Sequence, residues 1–193
     1  YQCQYFSNFA FQLKKKMKLL QKIIRVIISP QMGWERVNSS AHTSKDVFFK
    51  AFLPMLIILA LTAFVPMCFD HTLNTHTVLI HAITQASVFF ILYFLTSYVL
   101  GEMFRETVKT KAGDERVNIY VLYNLMYLML LNIISNSMPI DFTPVLFMML
   151  YVLWIAVKGV PFIEVKEGKE TKFVVIAVAM MLLAPIVINF LKL

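Results

Sequence analysis

From Val78 to Gly101 the chain runs 24 residues without an Asp, Glu, Lys or Arg. A helix rising about 1.5 Å per residue makes that stretch roughly 36 Å long, enough to cross a hydrocarbon layer of about 30 Å with some tilt. A helix apolar on every side has few places to hide in a soluble domain of this size. The pattern recurs four more times and predicts spans over 47–68, 117–136, 142–160 and 172–191 in addition to 78–101. Pro54 and Pro66 are read as kinks in the first span and Pro161 as the stop of the fourth. The predicted fold class is an all-α integral membrane protein, a five-transmembrane-helix bundle over residues 47–193.

Ahead of the bundle, residues 1–46 read as a cytoplasmic lead-in. In Met17 to Ser29, Lys18, Gln21, Lys22 and Arg25 fall on one helical face, and Leu19, Leu20, Ile23, Ile24, Ile27 and Ile28 fill the rest. This is a basic amphipathic helix, too short and too charged to span, and suited to the headgroup layer beside anionic lipid. A helix packed on the ends of the bundle is the alternative, and the two are compatible. Pro30 ends the helix by pushing Ser29 out of helical geometry. Trp34 is expected at the water–lipid boundary, where indole rings collect. Ser44, Lys45 and Asp46 offer the cap and first-turn acid of the first span. Residues 1–16 carry aromatics followed by Lys14, Lys15 and Lys16, the reverse of a secretory signal, and Met17 is an alternative initiator.

Composition agrees with this reading: 59% of the 193 residues are hydrophobic and 15% charged, against about 25% charged in ordinary soluble domains. The formal charge of +7 does not point to nucleic acid, because the cations sit at the ends of apolar spans rather than on one basic face. Their order gives the threading. Nine of them, Lys14 to Lys50, precede or open the first span, and none lies between the first and second. Arg105, Lys109, Lys111 and Arg116 follow the second, and none lies between the third and fourth. Lys158, Lys166, Lys169 and Lys172 surround the next turn, and only Lys192 lies past the fifth span. Under the positive-inside rule the N-terminus is cytoplasmic and the C-terminus outside. Cys3 and Cys68 then fall on opposite sides, so no disulfide framework forms.

Polar residues inside apolar spans mark either helix–helix contacts or a pathway. His81, Gln85 and Thr96 share a stripe of the second span, Asn124 and Asn132 a face of the third, and Thr143, Tyr151, Trp154 and Lys158 a face of the fourth. His81, Gln85, Asn124, Asn132, Tyr151 and Lys158 are the candidate polar seam; Lys18, Lys22, Arg25 and Trp34 are the candidate lipid contacts. Asp70, His71 and His76 cluster outside, but their spacing supplies no helical pair and no fourth ligand, so no metal site is expected. His-Glu-x-x-His, Gly-x-Ser-x-Gly and Gly-rich phosphate motifs are absent from the sequence. No enzyme and no cofactor is expected.

The basic N-terminal segment, the Pro30-x-x-x-Trp34 element, five spans, the threading, the Leu153-Trp154 pair and Gly159 together resemble the Yip family of Ypt-interacting membrane proteins over residues 17–193. The Asp-Leu-Tyr-Gly-Pro motif that eukaryotic members carry before their first span is missing, so the resemblance is to the bacterial branch. It implies a multi-pass protein of the bacterial inner membrane; the eukaryotic role it touches is binding of prenylated Rab-type GTPases. The expected function is a membrane scaffold or adaptor that contacts anionic headgroups and a cytoplasmic protein partner or a second copy of itself. The alternative is a small oligomeric transporter or lipid-moving protein that uses the seam between spans two to four.

Overall fold

Hydrocarbon offers backbone amides no partner, so a chain this apolar satisfies them within helices. The computed structural model describes residues 21, 23–39, 43–70, 72–104, 113–138 and 144–190, and every regular element among them is helical. In chain order these are α1 (residues 23–28), α2 (Pro30–Asn38), α3 (Ser44–Val47), α4 (Leu53–Thr62), α5 (Thr75–Met103), α6 (Gly113–Ser137), α7 (Pro144–Ile163) and α8 (Glu170–Phe190). A π-helical turn at Phe48–Phe52 joins α3 to α4, and a 3-10 turn at Val65–Cys68 closes that rod, so Ser44–Cys68 is one length of helix.

Four helices are long and apolar enough to cross a membrane: Ser44–Cys68, Thr75–Met103, Glu115–Ser137 and Glu170–Ile188. The rest of the apolar sequence is in α7, whose Met148–Ile163 portion is apolar but shorter. Pro54 is accommodated by the π turn that precedes it, where the wider backbone clears the ring. Pro161 does not stop α7, which continues to Ile163. Its ring gives the Val157 carbonyl no N–H and crowds it, a disturbance confined to the last turn of a helix that ends two residues later. The cap of α3 is Thr43, whose hydroxyl accepts from the Asp46 amide at 3.3 Å, while Asp46 pairs with Lys50 one turn on.

The centre of the bundle is α6, not the longest apolar stretch. Of its most apolar segment 78% is buried, against 17% for Ser44–Cys68 and 33% for α5. Helices α4, α5 and α7 pack directly on it, and α8 closes the ring between α5 and α7. Tyr120, Tyr123 and Tyr127 of α6 are among the largest fully enclosed side chains, with Phe52, Phe89 and Phe173 around them. Two hydroxyls are satisfied across the α6–α7 contact. Tyr120 donates to the Ala156 carbonyl at 3.1 Å and Tyr127 to the Met148 carbonyl at 2.6 Å. These bonds and the Arg116–Glu164 ion pair at 2.6 Å fix α6 and α7 as antiparallel neighbours in one register. Around the outside, Ile57, Leu61, Ile83, Ile91, Leu153 and Ile186 are exposed, the apolar surface that acyl chains cover.

Helices α1 and α2 meet in a sharp corner at Ser29–Pro30, with Pro30 in the first turn of α2. Gly33 is required there: a Cβ at this position would lie 2.4 Å from the Val26 Cα. The corner is docked on the bundle. Ile23 and Val26 are buried, the Tyr151 hydroxyl donates to the Ile27 carbonyl at 3.1 Å, and α2 packs along α7. Of the two readings of the N-terminal helix, the described part is packed against protein, with Ile24, Arg25 and Ile28 left outward.

Trp34 is a correction to the sequence reading. It is 3% exposed rather than interfacial, stacked on Tyr120 at 5.5 Å and on Phe162 at 5.4 Å between ring centroids. Its Nε1 donates to the Ile155 carbonyl at 3.0 Å. Gly159, one turn along α7, makes room for the indole, since a Cβ there would sit 2.7 Å from both Trp34 Cε2 and Tyr120 Cε2. Gly159→Ala is therefore expected to cost about 1–3 kcal/mol by overpacking. Thermal unfolding of the detergent-solubilised chain should show a clear fall in Tm; an unchanged Tm would refute the close approach of the indole.

Candidate functional site

The residues read as one polar seam are brought together only in part. At the end of the bundle where α5 begins and α6 ends, Gln85 of α5 is 1% exposed and exchanges two hydrogen bonds with Asn136 of α6. Asn136 Nδ2 donates to Gln85 Oε1 at 3.0 Å, and Gln85 Nε2 donates to Asn136 Oδ1 at 3.4 Å. His81, one turn before Gln85, places its Nε2 2.8 Å from Gln85 Nε2. If the imidazole is neutral with its proton on Nδ1, Nε2 accepts from the amide. The result is a three-residue polar knot, His81–Gln85–Asn136, between two apolar helices. Asn136 was not among the sequence candidates; its position in the last turn of the third span gave it the look of a helix end.

The other candidates go elsewhere. Asn124 and Asn132 each donate an amide hydrogen back to their own helix, to the Tyr120 and Leu128 carbonyls, both at 2.9 Å. Such i to i−4 bonds satisfy a polar group within one helix and make no bridge. Tyr151 is spent on the Ile27 carbonyl and so holds the N-terminal corner. Lys158 lies over the Trp154 ring at 4.7 Å, and Trp154 is 51% exposed. That pair faces outward, the ammonium stacked on the exposed indole. The exposed tryptophan of this structure is thus Trp154, and the buried one is Trp34.

Three buried oxygens, Thr96 Oγ1, Ser97 Oγ and Asn124 Oδ1, have no hydrogen-bond partner among the described residues. Gln85 and Asn136 set the register of α5 against α6. Eleven residues along α5 reach Thr96 and twelve back along α6 reach Asn124, so the Thr96 and Asn124 oxygens lie at nearly one level. The seam is therefore two separate features, a knot near one end of the bundle and the polar atoms at the level of Thr96 and Asn124, separated by about 16 Å of helix.

At the end of the bundle where α6 begins, Arg116 binds the Glu164 carboxylate, the Phe162 carbonyl at 3.3 Å and the Phe162 ring face at 5.9 Å. The Glu115 carboxylate accepts from the Ser44 amide at 3.1 Å. These contacts tie α3, α6 and the α7–α8 turn together. Of the lipid-contact candidates Arg25 is exposed on α1, and Lys18 and Lys22 lie outside the described residues. In the turn before α5, Asp70 accepts from the Thr72 amide and hydroxyl, and Asn74 caps α5 by accepting from the His76 amide. His71 lies outside the described residues. Among the described residues, no group of three or more His, Cys, Asp or Glu is placed to hold a metal.

The chain matches no protein-family model, no curated protein and no solved structure.

The reciprocal amide pair predicts a specific coupling. Gln85→Leu and Asn136→Leu should each destabilise, and the double variant should recover part of the loss. The interaction term is expected near the 0.6–1.7 kcal/mol range of interhelical hydrogen bonds in membranes. A double-mutant cycle read by unfolding in mixed micelles measures it, and strict additivity would show that the pair contributes nothing as a pair.

Proposed function

We propose that the chain is a multi-pass membrane scaffold whose N-terminal corner presents a basic, apolar surface to an anionic leaflet and a cytoplasmic partner. The observation that carries this reading is the docking of α1 and α2. Trp34, Val26, Ile23 and the Tyr151–Ile27 bond seat the corner on α6 and α7, leaving Ile24, Arg25, Ile28, Met32 and Arg36 on its outer side. Apolar side chains enter the acyl boundary while guanidinium groups meet anionic headgroups, each worth about 1 kcal/mol near the surface.

In this reading all five long helices span, with α7 crossing at 20 residues, close to the shortest length that suffices. The charge alternation supports a cytoplasmic N-terminus and an outer C-terminus in a bacterial inner membrane. The resemblance to the bacterial Yip branch supports the same arrangement.

A transporter remains the second reading because Thr96 Oγ1 and Asn124 Oδ1 are buried without partners. The bundle axis argues against it. Where a path through the protein would run, Tyr120, Tyr123, Tyr127, Phe89 and Phe173 fill the space.

Two measurements separate the readings. Arg25→Glu with Arg36→Glu, which leaves the buried face of the corner intact, should lower retention of anionic lipid by roughly ten- to thirty-fold. Deleting 17–29 should abolish it and release any cytoplasmic partner recovered with the full chain. Unchanged retention in both variants would sink the scaffold. In reconstituted vesicles no solute flux above empty vesicles is expected; flux that falls in both His81→Leu and Asn124→Leu would establish transport along the polar residues of α5 and α6 instead.

A further inference from the structure

Tyr151 and Trp34 fix how far along the bundle the N-terminal corner reaches. Tyr151, which donates to the Ile27 carbonyl at 3.1 Å, stands beside Tyr127 with ring centroids 5.8 Å apart. Tyr127 lies at the middle of Glu115–Ser137, the membrane-length segment of α6. The end of α1 is therefore at the mid-height of the bundle. From there α2 runs back along α7 towards the end where α7 stops. The Trp34 N–H reaches the Ile155 carbonyl at 3.0 Å, and its ring stacks on Phe162 at 5.4 Å. Helix α1 lies against α2, since a Cβ on Gly33 would be 2.4 Å from the Val26 Cα. The two short helices make a hairpin whose tip is Ser29–Pro30.

The chemistry of this tip suits hydrocarbon. Val26 to Trp34 contains no Asp, Glu, Lys or Arg, and charge resumes at Arg25 on one arm and at Glu35 and Arg36 on the other. At about 1.5 Å per residue those positions are roughly 6–9 Å above the tip. Arginine side chains reach from there to the boundary of a leaflet about 15 Å deep. Lys158, next to the glycine that admits the Trp34 ring, is at the same height. A corner within hydrocarbon needs partners for its backbone groups. Pro30 has no N–H, the Ser29 N–H donates to the Arg25 carbonyl at 2.8 Å, and the Ser29 carbonyl accepts from the Gly33 amide at 2.8 Å. Ile28 is 76% and Met32 61% exposed, at the height of exposed Leu150 and Leu153 of α7. Gln31 is the one polar side chain exposed beside them.

We propose that α1 and α2 form a re-entrant wedge whose tip is covered by the acyl chains of one leaflet. The inference rests on the reading that the bundle spans a bilayer, in which that leaflet is the cytoplasmic one, and adds the depth of the corner to it. A helix lying in the headgroup layer would be held at the boundary by its own apolar face. This hairpin is instead held below the boundary by protein, through two hydrogen bonds and a stacked indole. The protein then occupies more area in that leaflet than in the other. An element inserted into one leaflet favours membrane that is convex on its side.

The test places single cysteines in the full chain carrying Cys3→Ser and Cys68→Ser, by Ile28→Cys, Met32→Cys, Arg36→Cys or Ile91→Cys. Ile91 is exposed near the middle of α5 and reports the depth of a span. Each is labelled with bimane and read in vesicles whose lipids carry a nitroxide on the headgroup or at mid-chain. The labels at 28, 32 and 91 should be quenched at least twofold more by the mid-chain nitroxide, and the label at 36 more by the headgroup one. Headgroup preference at 28 and 32 with mid-chain preference at 91 would overturn the wedge and leave the spanning reading intact. Headgroup preference at 91 as well would overturn both. Protection of 28 and 32 from either nitroxide would show that protein covers the tip, and would also overturn the wedge. Tubes pulled from giant vesicles, with the N-terminal side of the chain facing out, should hold at least twice the protein per unit area of the parent membrane. Equal density would overturn the preference for convex membrane.

Discussion

In a bilayer the apolar face of one helix gains nothing by leaving lipid for another apolar face, so a helix bundle needs shape and polar contacts to hold it together. The α6–α7 contact meets that requirement here, and the rest of the structure is built on it. Tyr120 and Tyr127 each fill interior volume with a ring and place a hydroxyl on a carbonyl of the neighbouring helix. Each bond fixes the rotation and the height of α6 against α7 together. With that register fixed, Arg116 reaches Glu164 and Phe162, Gly159 opens a slot beside Tyr120, and Trp34 enters it. The N-terminal corner then has one seat available.

Four of the five expected spans are long and apolar enough to cross a membrane, and the one in α7 is shorter. The inward faces of all of them were poorly marked in the sequence, for a physical reason. Helix positions followed from the length of uncharged runs, and Ser29–Pro30 ended a helix where the chain chemistry said it must. The inward face of an apolar helix leaves no such mark. Leucine and isoleucine suit lipid and core equally, so α6, enclosed on nearly all sides, and α5, a third buried, read alike as strings. Content of tyrosine was the available signal. A hydroxyl needs a partner that lipid does not supply, and a span with Tyr120, Tyr123 and Tyr127 at steps of three and four is better placed inside than out.

The two tryptophans show the same limit. Composition alone assigns an indole to the interface, whereas Trp154, read as part of a polar face of the fourth span, is half exposed beside Lys158. Trp34 went the other way because Gly159, over a hundred residues distant, leaves a space that an indole fills and exposes the Ile155 carbonyl to its N–H. A pairing of that sequence separation has no periodicity to betray it. The polar residues divide similarly: Asn124 and Asn132 looked like a bridging face at a spacing of eight, yet each bonds to the carbonyl one turn back, an option open to any helical asparagine. Gln85 did find a partner across the helix boundary, in Asn136, which no stripe had singled out.

These assignments leave the bundle with two different relations to lipid. Most of its outer surface is Ile, Leu and Val, which acyl chains wet without discrimination. Discrimination requires fixed charge, and in the proposed reading the α1–α2 corner supplies it, with Arg25 and Arg36 beside exposed Ile24, Ile28 and Met32. Such a surface selects by surface potential, which falls off within about 10 Å and weakens with salt. The corner owes its position to protein contacts, because Trp34, Ile23 and Val26 are buried against the bundle and the Trp34 N–H is bonded to α7. The charge it presents is therefore held at a fixed height relative to α6 and α7.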